Sequence, residues 1–264
     1  MTRFLETYRG VSGSQVVYFT NEEERPVGLS NVTLISSVDA ERTDFNIPNP
    51  VETWSFDGDS GLTGSQAGNL FVLNTGNKQF GPSPVPGRQA LYLNGANRYS
   101  VANTSSLVIV GDITVSVFIY PSAFSTNQQN FLQHAGNGET EATNFIYDIR
   151  LETNSALRSV VETGAGSNIE ITPSPLYSIP PGEWSHVAYR RESGIHSLFH
   201  NGRLIHSESA ANPTGGGSGQ LVIGAFLDDT VDYFGLMYQL KIFDRSISDA
   251  DLRREAEAVL GTEI

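Results

Sequence analysis

The run Asp112-Ile113-Thr114-Val115-Ser116-Val117-Phe118-Ile119-Tyr120-Pro121 decides the fold class. Apolar residues stand at odd positions, with small polar residues at 114 and 116. Side chains of a strand alternate between faces, so this spacing predicts a strand with one face on a core, stopped by Pro121. Similar short runs lie on both sides. Upstream are Trp54-Ser55-Phe56 and Ala90-Leu91-Tyr92-Leu93, the latter closed by the turn pair Asn94-Gly95. Downstream are 144–149, 186–189, 197–200, 221–224 and 240–243. With 26 Gly and 12 Pro between them, many short strands are expected. The segment 213–220 holds Gly215-Gly216-Gly217-Ser218-Gly219 and reads as a flexible loop.

One helix is expected, at the end. Ser248 suits an N-cap, Asp249 and Asp251 suit the first turn, and Gly261 suits the C-cap. Leu252, Ala256 and Val259 supply the apolar stripe. Residues 1–50 read differently, with strand-like runs at 15–19 and 31–35 around the polar turn 21–26. Asn46-Ile47-Pro48-Asn49-Pro50 reads as an extended linker. The fold expected is therefore an all-β, antiparallel two-sheet sandwich over 51–264, with an N-terminal β arm or hairpin over 1–50 and one short C-terminal helix.

Composition narrows the function classes. The chain has 264 residues, and single all-β units of about 200–250 residues are common. Its net charge is −13, which argues against nucleic acid as a partner, because phosphate binding needs a basic surface. There is no cysteine, so disulfides, thiolate metal sites and cysteine nucleophiles are excluded. No apolar run is long enough to span a bilayer, so no membrane insertion is expected. The start, Met1 to Glu6, shows no apolar signal core. Either a leader has been removed or the protein leaves its cell by another route, such as lysis.

From residue 51 to 261 several segments resemble, in order, the laminin-G-like jelly roll of the concanavalin A-like lectin/glucanase superfamily. Gly182-Glu183-Trp184-Ser185-His186-Val187-Ala188 is similar to its G-x-W-x-H-V-A signature. Leu198-Phe199-His200-Asn201-Gly202 is similar to its L-Y-V-N-G hairpin. Gly87 to Gly95 is similar to its G-x-A-L-x-F-x-G strand and turn, and Arg245 to Leu252 to its closing helix. The run at 112–121 matches a family strand, with Phe118 where tryptophan is usual. Trp184 is expected as a buried anchor and Asn201-Gly202 as a positive-φ turn. The resemblance implies two antiparallel sheets, one concave, with ligand loops at a rim.

It also implies sites to look for. Many relatives hold calcium at the rim, but Asn97 and Arg98 stand where acids are usual, as do Tyr238 and Gln239. A replacement calcium site would come from Asp228, Asp229 and Asp232; a solvated acidic loop explains the same cluster. A glycan-binding rim is expected from Asn97, Tyr99, Tyr233 and Phe234, although aromatic residues in sandwiches more often serve the core. His196 and His200 lie i, i+4 on a strand, about 13 Å apart and too far to share one zinc ion. A glycosidase of this fold needs paired carboxylates, typically E-x-D-x-x-E; Glu139-Thr140-Glu141 lacks the third acid. No G-x-S-x-G or H-E-x-x-H is present.

The expectation is therefore a non-enzymatic structural and binding module on the exterior of an assembly, a phage virion decoration or fibre protein that adheres to host glycans. Residues 1–50 would dock it onto virion or surface proteins by strand addition, and an oligomer is expected. The alternatives are a secreted or surface bacterial lectin domain and, behind it, a polysaccharide-cleaving enzyme. Either way the location expected is virion exterior or extracellular.

Overall fold

The computed structural model describes residues 5–9, 15–19, 47–123, 128–135, 145–162, 168–213, 219–225 and 232–261. Two units emerge, Met1–Phe45 and Asn46–Ile264. In the first, β1 (Leu5–Arg9) pairs antiparallel with β2 (Gln15–Phe19), setting Leu5 opposite Phe19. The strand expected at 15–19 forms, but its partner is 5–9. The expected partner run at 31–35 lies outside the described residues.

The second unit runs β3 (Glu52–Trp54), β4 (Val72–Thr75), β5 (Phe80–Pro82), β6 (Gln89–Asn94), β7 (Arg98–Val101), β8 (Ile113–Pro121), β9 (Gln129–Ala135), β10 (Phe145–Leu151), β11 (Leu157–Glu162), β12 (Asn168–Ile171), β13 (Ser185–Glu192), β14 (Ile195–His200), β15 (Arg203–Ser209), β16 (Leu221–Ile223), β17 (Phe234–Phe243) and helix α1 (Asp249–Leu260). One sheet has the order β12-β11-β10-β9-β16-β7-β4. The other has the order β15-β14-β13-β8-β17-β6-β5, and β3 joins it along the far half of β17. Strand neighbours are antiparallel throughout both sheets. β17 serves two partners because it bulges between Tyr238 and Lys241, where Gln239 takes φ 52°. Its first half pairs with β6 and its second with β3.

Period-two patterning then fills the space between the sheets. Val115, Val117, Val187, Tyr189 and Leu198 face Tyr99, Val101, Leu132, Tyr147, Ile149 and Ile223 in one core. Tyr147 and Tyr189 meet across it with ring centroids 6.3 Å apart. Trp54 is fully buried there and donates its indole N–H to the Asn69 carbonyl at 2.7 Å. Glu52, two residues earlier and on the same side of β3, is also buried. Its carboxylate accepts from the backbone N–H groups of Gln66, Ala67 and Asn69 and from the Asn69 amide. β3 therefore anchors the 64–69 loop twice.

The even-numbered side chains of β8 face away from this core, and α1 covers them. Leu252 packs with Ala188, Phe199, Phe243 and Ile247, while Val259 and Leu260 pack against Phe118 and Tyr238. Ser248 caps the helix by accepting from the Asp251 N–H at 3.1 Å, and Gly261 closes it at φ 68°. Beneath the helix, buried Glu255 accepts from Ser116 Oγ at 3.0 Å and from Lys241 Nζ at 3.0 Å. Burial works against that charge, but His186 and Lys241 outweigh it and hold the carboxyl down at about 2. Trp184 departs from expectation. It is half-buried on this outer layer, with its ring 5.6 Å from Tyr120, because it precedes β13 on the α1 side.

Candidate functional site

The outer face of the seven-stranded sheet has a different chemistry. On β10 the charged residues Asp148 and Arg150, with Glu152 just beyond the strand, alternate with Ile149 and Leu151, which enter the core. Pairing extends this face sideways. Asp148 lies opposite Gln133 on β9 and Val160 on β11, and Val160 lies opposite Glu170 on β12. One step along, Arg150 lies between Asn130 and Arg158. A bulge on β9 makes that possible. Phe131 is the extra residue, so Phe131 and Leu132 both reach the core while Asn130 and Gln133 both face outward.

These side chains form one network. Asn130 Nδ2 donates to Asp148 Oδ1 at 2.8 Å, and Arg150 Nη1 lies 3.3 Å from Asp148 Oδ2. Arg150 Nε lies 2.8 Å from Glu152 Oε1, and Arg158 Nη1 lies 2.9 Å from the same oxygen. Arg158 also pairs with Glu170. Gln128 Nε2 donates to Glu152 at 3.1 Å. Two carboxamide oxygens, Asn130 Oδ1 and Gln133 Oε1, are buried without a hydrogen-bond partner. Exposure grades across the array, from nothing at Asp148 and Asn130 to 58% at the Glu170 side chain. Burial pushes the Asp148 carboxyl up to about 7, against the opposing charge of Arg150. Burial, then the charge of Arg150, lowers the pKa of Arg158.

The residues of the expected rim do gather at one end of the sandwich. Phe234 lies opposite Asn94, and the Tyr233 N–H donates to the Gly224 carbonyl at 2.8 Å. Their side chains do not share a surface. Tyr99 and Tyr233 are fully buried, and Tyr233 packs on Phe131 at 5.8 Å. Asn97 is buried with both amide ends occupied, accepting from the Asn94 N–H at 2.9 Å and donating to the Asn77 carbonyl. Only Phe234 is exposed, at 45%, so the aromatic surface expected there narrows to one ring. The physical reason is strand alternation: Tyr99 shares its face with Val101.

Of the expected calcium ligands, Asp228 and Asp229 lie outside the described residues. Asp232 forms an isolated parallel bridge with Asn130, at the edge of the polar array. Among the described residues no group of three or more acids and histidines is placed to hold a metal. His196 and His200 have separate partners. His196 Nδ1 meets Tyr189 Oη at 2.8 Å, while His200 meets Tyr177 Oη at 2.9 Å and Ser185 Oγ at 3.0 Å. The Ser185–His200–Tyr177 chain has the connectivity of a nucleophile, a base and an orienting group. Ser185 is 1% exposed, however, so the chain ties segment 173–179 to β13 and β14. Glu139 and Glu141 lie outside the described residues. Among those residues no helix is long and apolar enough to cross a membrane.

A laminin-G model, described as the concanavalin A-like lectin/glucanases superfamily, matches residues 89–253. The chain belongs to that superfamily. Solved structures of this superfamily fold are similar to it over about four-fifths of its length. Domain 4 of AbnA, an extracellular arabinanase from Geobacillus stearothermophilus, in complex with arabinotriose, is 18% identical with a TM-score of 0.60, covering 79% of this chain and 98% of that one. The botulinum neurotoxin serotype G binding domain is 11% identical with a TM-score of 0.61, covering 80% of this chain and 51% of that one. The binding domain of botulinum neurotoxin DC in complex with rat synaptotagmin II is 13% identical with a TM-score of 0.58, covering 80% and 52%. This superfamily member thus spans about half the length of those toxin domains. No curated protein matches it by sequence.

Nothing in the residue types of the polar array marks it as a site. The legible signal was the charge–apolar alternation of 148–152. The contribution of Asn130 and Gln133 depends on the β9 bulge, which no local pattern announces.

Proposed function

We propose that this superfamily member is a non-enzymatic glycan-binding module that works through the outer face of its seven-stranded sheet. The observation that carries the reading is the polar array there, which grades from buried Asp148 and Asn130 through Arg150, Arg158 and Glu152 to the exposed Glu170. Carboxamides, carboxylates and guanidinium groups fixed on a rigid sheet suit the many directional hydrogen bonds of a sugar. The arabinanase domain, crystallised with arabinotriose, and the toxin binding domains supply supporting analogy. Catalysis is disfavoured because Asp148 is sealed from solvent and Arg150 stands between it and Glu152. A glycosidase needs both carboxyls free to flank the scissile bond.

Residues 1–50 are proposed to attach the module to a larger assembly on a virion or cell exterior, the two-stranded hairpin needing a partner to be stable. A chain lacking 1–50 should then bind glycans but fail to join that assembly.

The test is a glycan array, with calcium and with EDTA, followed by calorimetry on the full chain. Both conditions are included because Asp232 lies beside Asn130. Gln133→Leu and Arg158→Ala are expected to lower affinity at least tenfold, about 1.4 kcal/mol, while Phe234→Ala leaves it unchanged. Absence of any bound glycan refutes the proposal. Binding that survives both array variants and falls with Phe234→Ala moves the site to the rim.

A further inference from the structure

We propose, resting on the glycan reading above, that the polar face selects neutral, hydroxyl-rich oligosaccharides and discriminates against those bearing carboxylate or sulfate groups.

The argument begins with how the cations of the array are used. Arg150 reaches Asp148 and Glu152, and Arg158 reaches Glu152 and Glu170. Two guanidinium groups thus face three carboxylates. A protein that reads an acidic sugar presents an arginine fork to the ligand's carboxylate. Here both forks are turned toward the protein's own acids, and a ligand anion would have to displace one of them. It would also approach Glu170, the most exposed member of the array.

The second observation is independent of charge. Asn130 and Gln133 are more than nine-tenths buried and face outward beside Asp148, and Asn130 Oδ1 and Gln133 Oε1 have no donor. An acceptor without a donor is satisfied by a hydroxyl, which a neutral sugar carries on most of its unlinked ring carbons. A carboxylate or sulfate offers only further acceptors. Even with Asp148 protonated, as its burial favours, Glu152 and Glu170 match the two guanidinium charges, so the array offers a ligand anion no net positive charge. The net charge of −13 adds long-range repulsion toward polyanions.

Calorimetry on the full chain tests this with matched pairs: galactotetraose against tetragalacturonate, and lacto-N-tetraose against its sialylated form. The acidic member of each pair is expected to bind at least about tenfold more weakly. Raising salt should narrow that ratio, because the repulsion is screened. Glu170→Gln, at an exposed position where folding is not at risk, should narrow it about threefold whatever happens to absolute affinity. Acidic forms that bind as tightly as neutral ones, or a ratio untouched by Glu170→Gln, overturn the selectivity alone and leave glycan binding standing. Failure of every oligosaccharide to bind overturns the functional proposal and this inference with it.

Discussion

Replacing Asp148 with asparagine should stabilise the protein at neutral and alkaline pH and change little near pH 4. The carboxyl is fully buried, and burial pushes its pKa from 3.8 up to about 7. An acid with a folded pKa above its unfolded value keeps its proton in the native state after the unfolded chain has released it. Stability contributed by this group is therefore complete below about pH 4 and is withdrawn as pH rises to 7. Three units at about 1.36 kcal/mol each set an upper bound of about 4 kcal/mol, which local water entry reduces toward 2. Asparagine keeps an acceptor for Asn130 Nδ2 or Arg150 and adds a donor beside the unpartnered Asn130 Oδ1. Other groups titrate in the same window. His134, His196 and His200 are pushed down to about 4 by burial, so their effect runs the other way, with stability rising from pH 4 to 6.5. That effect is common to both proteins and cancels in the difference. Urea unfolding followed by tryptophan fluorescence, with fully buried Trp54 as a reporter, measures it at each pH. The stability difference between variant and wild type should grow by about 2–4 kcal/mol between pH 4 and 8. A difference that stays flat within about 0.5 kcal/mol, or that shrinks as pH rises, would refute the reasoning.

Other perturbations have equally direct readouts. Glu255→Ala leaves Lys241 and Ser116 without their buried partner and should cost about 3 kcal/mol, seen as a lower Tm with early loss of the α1 signal in far-UV dichroism. Since that carboxyl is held down at about 2, the wild type should keep this contribution above its unfolded pKa and lose it as pH falls from about 4.5 toward 2. Gly202→Ala should cost more than about 2 kcal/mol in urea unfolding, because Gly202 sits at φ 71° and a Cβ there would fall 2.2 Å from the Arg253 Cα. Glu52→Gln removes the charge that gathers three backbone N–H groups. Limited proteolysis should then cut within 64–69, with a stability loss of about 2 kcal/mol.

Much of the strand and helix pattern was legible because its causes are local. Alternation at 113–120 follows from the pleat, and residues 113–121 form a strand. Ser248 and Gly261 bound α1 because orphan amide and carbonyl groups need those residue types, and Asn201 and Gly202 take φ 50° and 71° in the β14–β15 turn. The position of Tyr99 was also readable: Arg98, Tyr99, Ser100 and Val101 alternate, with Tyr99 and Val101 on the core side. The family resemblance put Asn97, Tyr99, Tyr233 and Phe234 at one rim; which way each side chain turned was a separate matter.

What belonged to the tertiary structure alone was pairing. That 15–19 pairs with 5–9, that Trp54 enters the core while Trp184 lies on the α1 side, and that one extra residue at Phe131 turns both Asn130 and Gln133 outward all depend on contacts between distant segments. The polar array needs four of them at once, since β9, β10 with the adjoining Glu152, β11 and β12 each supply a group. A sequence specifies side-chain period over a few residues, because φ and ψ are local. Register between strands is fixed only when the two hydrophobic faces close on one another, and a slip of one residue would send every group of that array to the opposite side.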